Sequence, residues 1–315
     1  MGQRGPIPMS QQGYNLADGK LLRLATGTAI LVASTLIIIK AYGYYATGSV
    51  SMLSSLTDSM LDGMASVINL LAIRFALMPP DQNHRFGHGK AEALSSLFQS
   101  ALITISVIYL VYESIGKLLS PEAVTASDVG VSVMLVSVVM TLGLVTFQGW
   151  VHRRTKSLAI KADAAHYRMD LLVNLAVIAA LLIDSYLQSM YADPIIALMI
   201  SGYIAQEVWE IASNAIDQLM DREMAEEDRL KIFSIATGHA QVDDIHDLRT
   251  RMSGNWTFIQ FHMSLDPNMT LKEAHDIADD VEDRILKAFP DAEIFIHQDP
   301  QGLAEEHDAL AHQIT

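Results

Sequence analysis

Six apolar stretches, each longer than 20 residues, run along the first two thirds of the chain, at about 21–45, 49–77, 93–119, 128–150, 158–187 and 193–219. About 20 apolar residues in a helix cross the hydrocarbon core of a bilayer, so each stretch predicts a membrane span. Several are longer than that and are expected to tilt or to extend past the bilayer. Gly48, Pro79 with Pro80, Pro121, and Asp193 with Pro194 separate them, as turn and breaker residues do. After Asp221 the pattern becomes that of a small soluble domain. Helices are expected over 225–237 and 270–289, and strands over 244–252, 256–266 and 292–298. In the second strand Ile259, Phe261, Met263 and Leu265 alternate with Gln260, His262 and Ser264, the period of a half-buried strand. In the longer helix Thr270 and Glu273 have capping-box spacing, and Ala274, Ile277, Val281, Ile285 and Ala288 make an apolar face. The expected fold is an all-α, six-helix transmembrane domain followed by a cytoplasmic α+β domain, one helical layer over a short sheet. The corresponding division is a cytoplasmic N-terminal segment at 1–20, the spans at 21–220, the α+β domain at 221–300 and a disordered tail at 301–315.

Basic residues set the orientation. Arg4, Lys20 and Arg23 precede the first span, Arg74, Arg85 and Lys90 surround the second connection, and Arg153, Arg154, Lys156 and Lys161 fill the fourth. The odd-numbered connections hold little beyond Lys117, so both termini are expected on the cytoplasmic side. Residues 1–20 are polar and lack the apolar core of a signal peptide. The net charge of −15 is concentrated past residue 220, where 21 acidic residues face 8 basic ones, a net of −13. Such a surface argues against nucleic acid or anionic lipid as its partner and suits cations, although most of these charges serve only to keep a soluble surface hydrated. The chain has no cysteine, so any transition metal must be held by histidine, aspartate and glutamate.

Against that apolar background, SLTDSMLDG at 55–63 places Asp58 and Asp62 four residues apart, on one face of a helix. The fifth span repeats the device with His166 and Asp170 in KADAAHYRMDLLVN. Both pairs fall near mid-bilayer, where an ionised carboxylate costs several kcal/mol unless paired. Lys40 lies near the end of the first span and Arg168 one residue off the His166/Asp170 face, so neither is an obvious counter-ion. Three carboxylates and an imidazole describe a cation site. Four O and N ligands suit tetrahedral zinc and also admit cadmium, ferrous iron, cobalt or manganese. Ligands of this kind must shed protons to take metal, so metal and protons compete. The plainer alternative is that the four residues hydrogen-bond helices together, or hold a proton or sodium ion.

These segments, with HRFGHGKAEAL at 84–94, HDLRTRMSG at 246–254, QFH at 260–262, EAH at 273–275 and IHQDP at 296–300, resemble the cation diffusion facilitator (CDF) family, and within it bacterial zinc transporters, over about residues 20–300. The resemblance implies a homodimer in the bacterial inner membrane, six spans per protomer, a metallochaperone-like cytoplasmic domain, and export of Zn2+ (or Cd2+, Fe2+ or Mn2+) in exchange for protons. It assigns Asp58, Asp62, His166 and Asp170 to the transport site. It assigns Asp81, His84 and His88 to a second site in the loop after the second span. By themselves, two histidines and an aspartate in a loop are more often just polar, and Gln82 stands where relatives commonly carry a second acid. His246, His262, His275, His297 and Asp299 fall at a binuclear cytoplasmic site with the aspartate bridging; their spread over three expected strands and a helix suggests a metal cluster independently. Lys90 and Asp221 would form a charge interlock, or an ordinary surface ion pair worth under about 1 kcal/mol. Two other functional classes compete. A membrane metallohydrolase lacks the helical H-E-x-x-H signature here. A membrane-anchored zinc sensor without transport needs only the cytoplasmic cluster.

Overall fold

The computed structural model describes residues 16–120, 128–187 and 191–302. Most of the expected N-terminal segment and the tail at 303–315 lie outside these residues. The chain divides into two compact units. One comprises Leu16–Met78 and Lys90–Ile216, the other Pro79–Gly89 with residues 217–302. The loop after the second long helix thus groups with the C-terminal part of the chain.

The first unit is built from α1 (Leu16–Thr47), α2 (Val50–Ala76), α3 (Lys90–Leu119), α4 (Asp128–Thr155), α5 (Leu158–Leu187) and α6 (Ala192–Leu219). Among the described residues, five of these helices are long and apolar enough to cross a membrane. The other, α5, carries Lys161, Asp163, Arg168 and Asp170 in its first half. Serine and threonine hydroxyls along the helices donate to carbonyls one turn back, as Thr26 does to Leu22, Ser100 to Ser96 and Ser137 to Val133. Apolar helices can therefore carry hydroxyls where water is absent. α1 packs on α2 and α4, α5 on α4 and α3, while α2 and α5 meet over only a short stretch. A core of Ile103, Val107, Ala162, Ala165, Met169, Ile204, Val208 and Ile211 joins α3, α5 and α6.

The second unit holds α7 (Glu226–Thr237), β1 (Asp244–Ser253), β2 (Trp256–Leu265), α8 (Leu271–Ala288) and β3 (Ala292–Pro300). β1 and β2 form an antiparallel hairpin, and β3 lies parallel to β2, giving sheet order β1-β2-β3. A parallel return needs a crossover, which α8 supplies. Gly254 in the hairpin turn has φ +62°, a backbone state that glycine adopts without strain. Thr270 accepts from the Glu273 N–H while Glu273 accepts from the Thr270 N–H at 2.8 Å, closing the expected capping box. Ala274, Ile277, Val281 and Ile285 of α8 pack with Ile232 of α7 against Ile259, Phe261, Met263 and Leu265 of β2. The helices cover one face of the sheet, and the alternate residues of the strands point to the other.

Candidate metal centres

α2 presents one polar stripe, Ser55, Ser59, Asp62, Ser66 and Asn69, at spacings of four, three, four and three. In its middle, Asp62 Oδ1 lies 2.8 Å from His166 Nε2 of α5. One turn further along α2, Ser66 Oγ shares a 2.8 Å hydrogen bond with the Tyr167 hydroxyl. Asp62, His166 and Asp170 each offer a ligand atom, all within 4.8 Å of one another. His166 is buried, at 8% exposure.

Asp58 is not in this group, and it is exposed. At 100° per residue it lies about 40° from Asp62, at the edge of the stripe that faces α1 and α5. The expected four-residue set is therefore present as three converged ligands and one a turn away. Lys40, set aside on sequence grounds, takes part after all: its Nζ donates to Ser59 Oγ at 2.6 Å and to Ser55 O at 3.2 Å. Arg168 pairs with Glu207 of α6. Toward the start of α5, buried Asp163 accepts from Gln148 Nε2 at 2.5 Å, and buried Glu92 accepts from Ser157 and from the Ala159 N–H. These interior carboxylates were missed; the 4-3-4-3 polar spacing of α2 is the signal that would have pointed to a polar seam.

Asp81, His84 and His88 form a second set within 4.8 Å. Asp81 Oδ1 accepts from the N–H groups of His84 (2.7 Å) and Asn83 (2.8 Å), a local turn that places His84 Nδ1 3.3 Å from the same oxygen. Those two bonds, His84 first, hold the Asp81 carboxyl below the usual carboxylate range. His88 Nε2 lies 3.3 Å from the other carboxylate oxygen. The loop is fastened to the β1–β2 hairpin. The Arg251 guanidinium lies over Phe86 (4.6 Å) and Phe258 (4.7 Å), and Gly89 packs against Ser253 and Gly254. Nothing in the one-dimensional pattern announced this stack.

The third set follows from strand register. His246, His262 and His297 occupy paired positions across β1, β2 and β3, with Asp299 two residues beyond His297 on the same face. Asp299 is buried; its Oδ2 lies 2.8 Å from His262 Nδ1 and 3.3 Å from His246 Nε2, and its Oδ1 lies 3.0 Å from His297 Nε2. Immediately after His246 the ladder slips in a bulge, with Asp247 at φ +49°. The fifth expected ligand is not brought in. His275 stands on the outer side of α8, 66% exposed and 3.7 Å from Asp279, because the neighbouring Ala274 faces the core. Lys90 opens α3, and Asp221 follows α6 at φ +56°, its Oδ1 3.4 Å from Arg251 Nη1. His239 lies 3.4 Å from Asp280 with only 12% of its side chain exposed.

Comparison with known proteins bears on the whole chain. Residues 28–220 match the cation efflux transmembrane domain, and residues 224–301 match the cytoplasmic domain of cation efflux proteins. The cation-efflux pump FieF of Klebsiella pneumoniae is 43% identical over 289 residues, covering 92% of this chain and 96% of the pump. FieF of Shewanella oneidensis is 44% identical over 279 residues, covering 89% and 94% respectively. Among solved structures, the metal-bound C-terminal domain of the CzcD transporter from Thermotoga maritima is 28% identical, with a TM-score of 0.25, covering 26% of this chain and all of that domain. The chain belongs to the cation diffusion facilitator, or cation efflux, family of membrane transporters.

Proposed function

We propose that this transporter exports zinc from the cytoplasm in exchange for protons, with Asp62, His166 and Asp170 as the core of the transport site and Asp58 as its fourth ligand. The observation that carries this is the 2.8 Å hydrogen bond between Asp62 Oδ1 and His166 Nε2. The proton in that bond occupies lone pairs that a metal ion would use, so metal can bind both groups only as the proton leaves. Exchange of one cation for the other is thus built into a single pair of atoms. Two carboxylates, an imidazole and a further carboxylate suit zinc, and the oxygen-rich set also admits cadmium, ferrous iron or manganese.

In this scheme residues 21–220 carry the path, and residues 221–300 form a cytoplasmic domain through which two copies associate. The protein sits in a bacterial inner membrane with both termini in the cytoplasm, in keeping with the basic residues of the even-numbered connections. The clusters at Asp81/His84/His88 and at His246/His262/His297/Asp299 hold metal outside the transport path; His275 joins the latter only if α8 or a second protomer brings it there. The test is zinc flux into proteoliposomes under an imposed pH gradient, comparing the native chain with Asp62→Ala. Gradient-driven flux in the native protein, lost in the variant, is expected. Undiminished flux in Asp62→Ala would reject the site, and zinc binding without flux in the native chain would favour the sensor.

A further inference from the structure

α1 runs against α2, and Lys40 of α1 hydrogen-bonds across that contact. The Lys40 ammonium is half-buried, and its two hydrogen bonds both go to neutral oxygens, Ser59 Oγ at 2.6 Å and Ser55 O at 3.2 Å. Ser59 is itself 2% exposed and belongs to the same stripe as Asp62, one turn away. Ser59 precedes Asp62 by three residues on α2, which holds the ammonium about one helical turn from a carboxylate of the proposed transport site. A lysine held away from water by neutral partners is costly, and the carboxylates one turn along α2 offset part of that cost.

We infer that Lys40 is a tethered counter-ion of the transport site, a positioning residue that weakens metal binding and so keeps cargo exchangeable. The inference rests on the transport-site assignment above. The ammonium cannot leave with cargo, because it is anchored to α1 by its own stem and to α2 by Ser59. It gives the carboxylates a positive neighbour when the site holds no metal. A divalent ion entering beside it meets repulsion that a neutral side chain would not exert. Lys40 does not ligate metal; it acts through the charge that the ligands and the cargo feel.

The test measures zinc affinity at fixed pH by competition with a fluorescent chelator, using full-length protein in detergent. A parent with Asp81→Ala and Asp299→Ala removes the other two clusters from the titration. Lys40→Gln keeps a hydrogen-bond donor for Ser59 and loses the charge; it is expected to bind zinc at least about tenfold more tightly and to release it more slowly. Lys40→Arg keeps the charge and is expected to match the parent. Affinity in Lys40→Gln within twofold of the parent, or weaker, overturns the inference, even if its melting temperature falls, since a purely structural lysine would behave that way. Should Lys40→Gln not fold, Ser59→Ala, which unpins the ammonium while retaining it, is read on the same scale: zinc affinity must change while Lys40→Arg holds the parent value, and no change overturns the inference. Adding Asp62→Ala to the parent separates the two ideas. If zinc binding persists there, the site assignment itself fails; if binding is lost there but Lys40→Gln is unchanged, only the role of Lys40 fails.

Discussion

Replacing Asp299 by asparagine tests whether the cytoplasmic cluster binds metal and stabilises its domain. The aspartate is the hub: three imidazoles approach its two oxygens at 2.8, 3.0 and 3.3 Å, and its side chain is 7% exposed. The amide of asparagine keeps one acceptor oxygen and presents a donor where the other stood, so at least one carboxylate contact is lost. A hydrogen bond to a charged group contributes about 1.5–3 kcal/mol when buried. With His246 and His262 about a quarter exposed and His297 63% exposed, solvent screening reduces the metal-free loss to about 1 kcal/mol. The larger effect appears with zinc. Free metal at about 100 times its dissociation constant stabilises the folded state by about 2.7 kcal/mol. For a unit of this size that raises the melting temperature by roughly 10–20 °C. Trp256, buried at the start of β2, is the tryptophan of this unit, and Trp150→Phe with Trp209→Phe leaves it as the sole tryptophan. Thermal melts followed at Trp256 should show the zinc-induced rise in the native cluster and less than half of it in Asp299→Asn. An undiminished rise in the variant would refute the assignment of Asp299 as a ligand.

The loop of the second set is open to test through its tight approach to the hairpin. A Cβ at Gly89 would stand 2.1 Å from Ser253 O and 2.6 Å from its carbonyl carbon, both backbone atoms, so Gly89→Ala should cost about 1–3 kcal/mol and loosen the loop. Trypsin cleavage after exposed Arg85 should accelerate; an unchanged rate would show that the loop is not held there. The capping box has a pH signature. The bond from the Thr270 N–H, with that from its hydroxyl, holds the Glu273 carboxyl below its ordinary 4.5. A group whose folded value is depressed contributes stability above its unfolded value and loses it as pH falls through the folded one. Melts at Trp256 between pH 6 and 3 should therefore decline less steeply below about pH 4.5 in Glu273→Gln than in the native chain. Parallel curves would contradict the assignment.

The helices and strands were legible because their periods are strong. Each of the six apolar runs is one long helix, and the alternation at Ile259–Leu265 matches a strand with one face on α7 and α8. Thr270 and Glu273 announced the start of α8 to the residue. The ligand sets were legible as residue types at helical or strand spacing, but convergence was only partly so. His246, His262 and His297 meet because backbone pairing places them side by side, whereas His275 has the right chemistry on the wrong side of α8. Asp58 stands one turn before Asp62 and is exposed, outside the three ligands that converge. Lys40 was discounted because the end of a span suggests access to water. Its side chain reaches along α2 to Ser59, which no linear spacing records.

The clusters also differ in what holds their ligands, and the difference bears on what each can do. In the cytoplasmic set the three histidines sit on strands joined by backbone hydrogen bonds, so the geometry survives whether or not metal is bound. In the membrane set Asp62 belongs to α2 and His166 to α5, two helices that touch over a short stretch. Side-chain bonds cross that stretch from Asp62 to His166, from Ser66 to Tyr167 and from Asn69 Nδ2 to Ala159 O. In the proposed exchange, the proton that metal displaces is also one of the ties between the helices. Metal held by Asp62, His166 and Asp170 would replace that tie with bonds to three residues. A change of cargo there would change what holds α2 against α5, a physical basis for coupling ion exchange to helix movement. A strand-borne site lacks this property, because its ligands are fixed by bonds that the metal never touches.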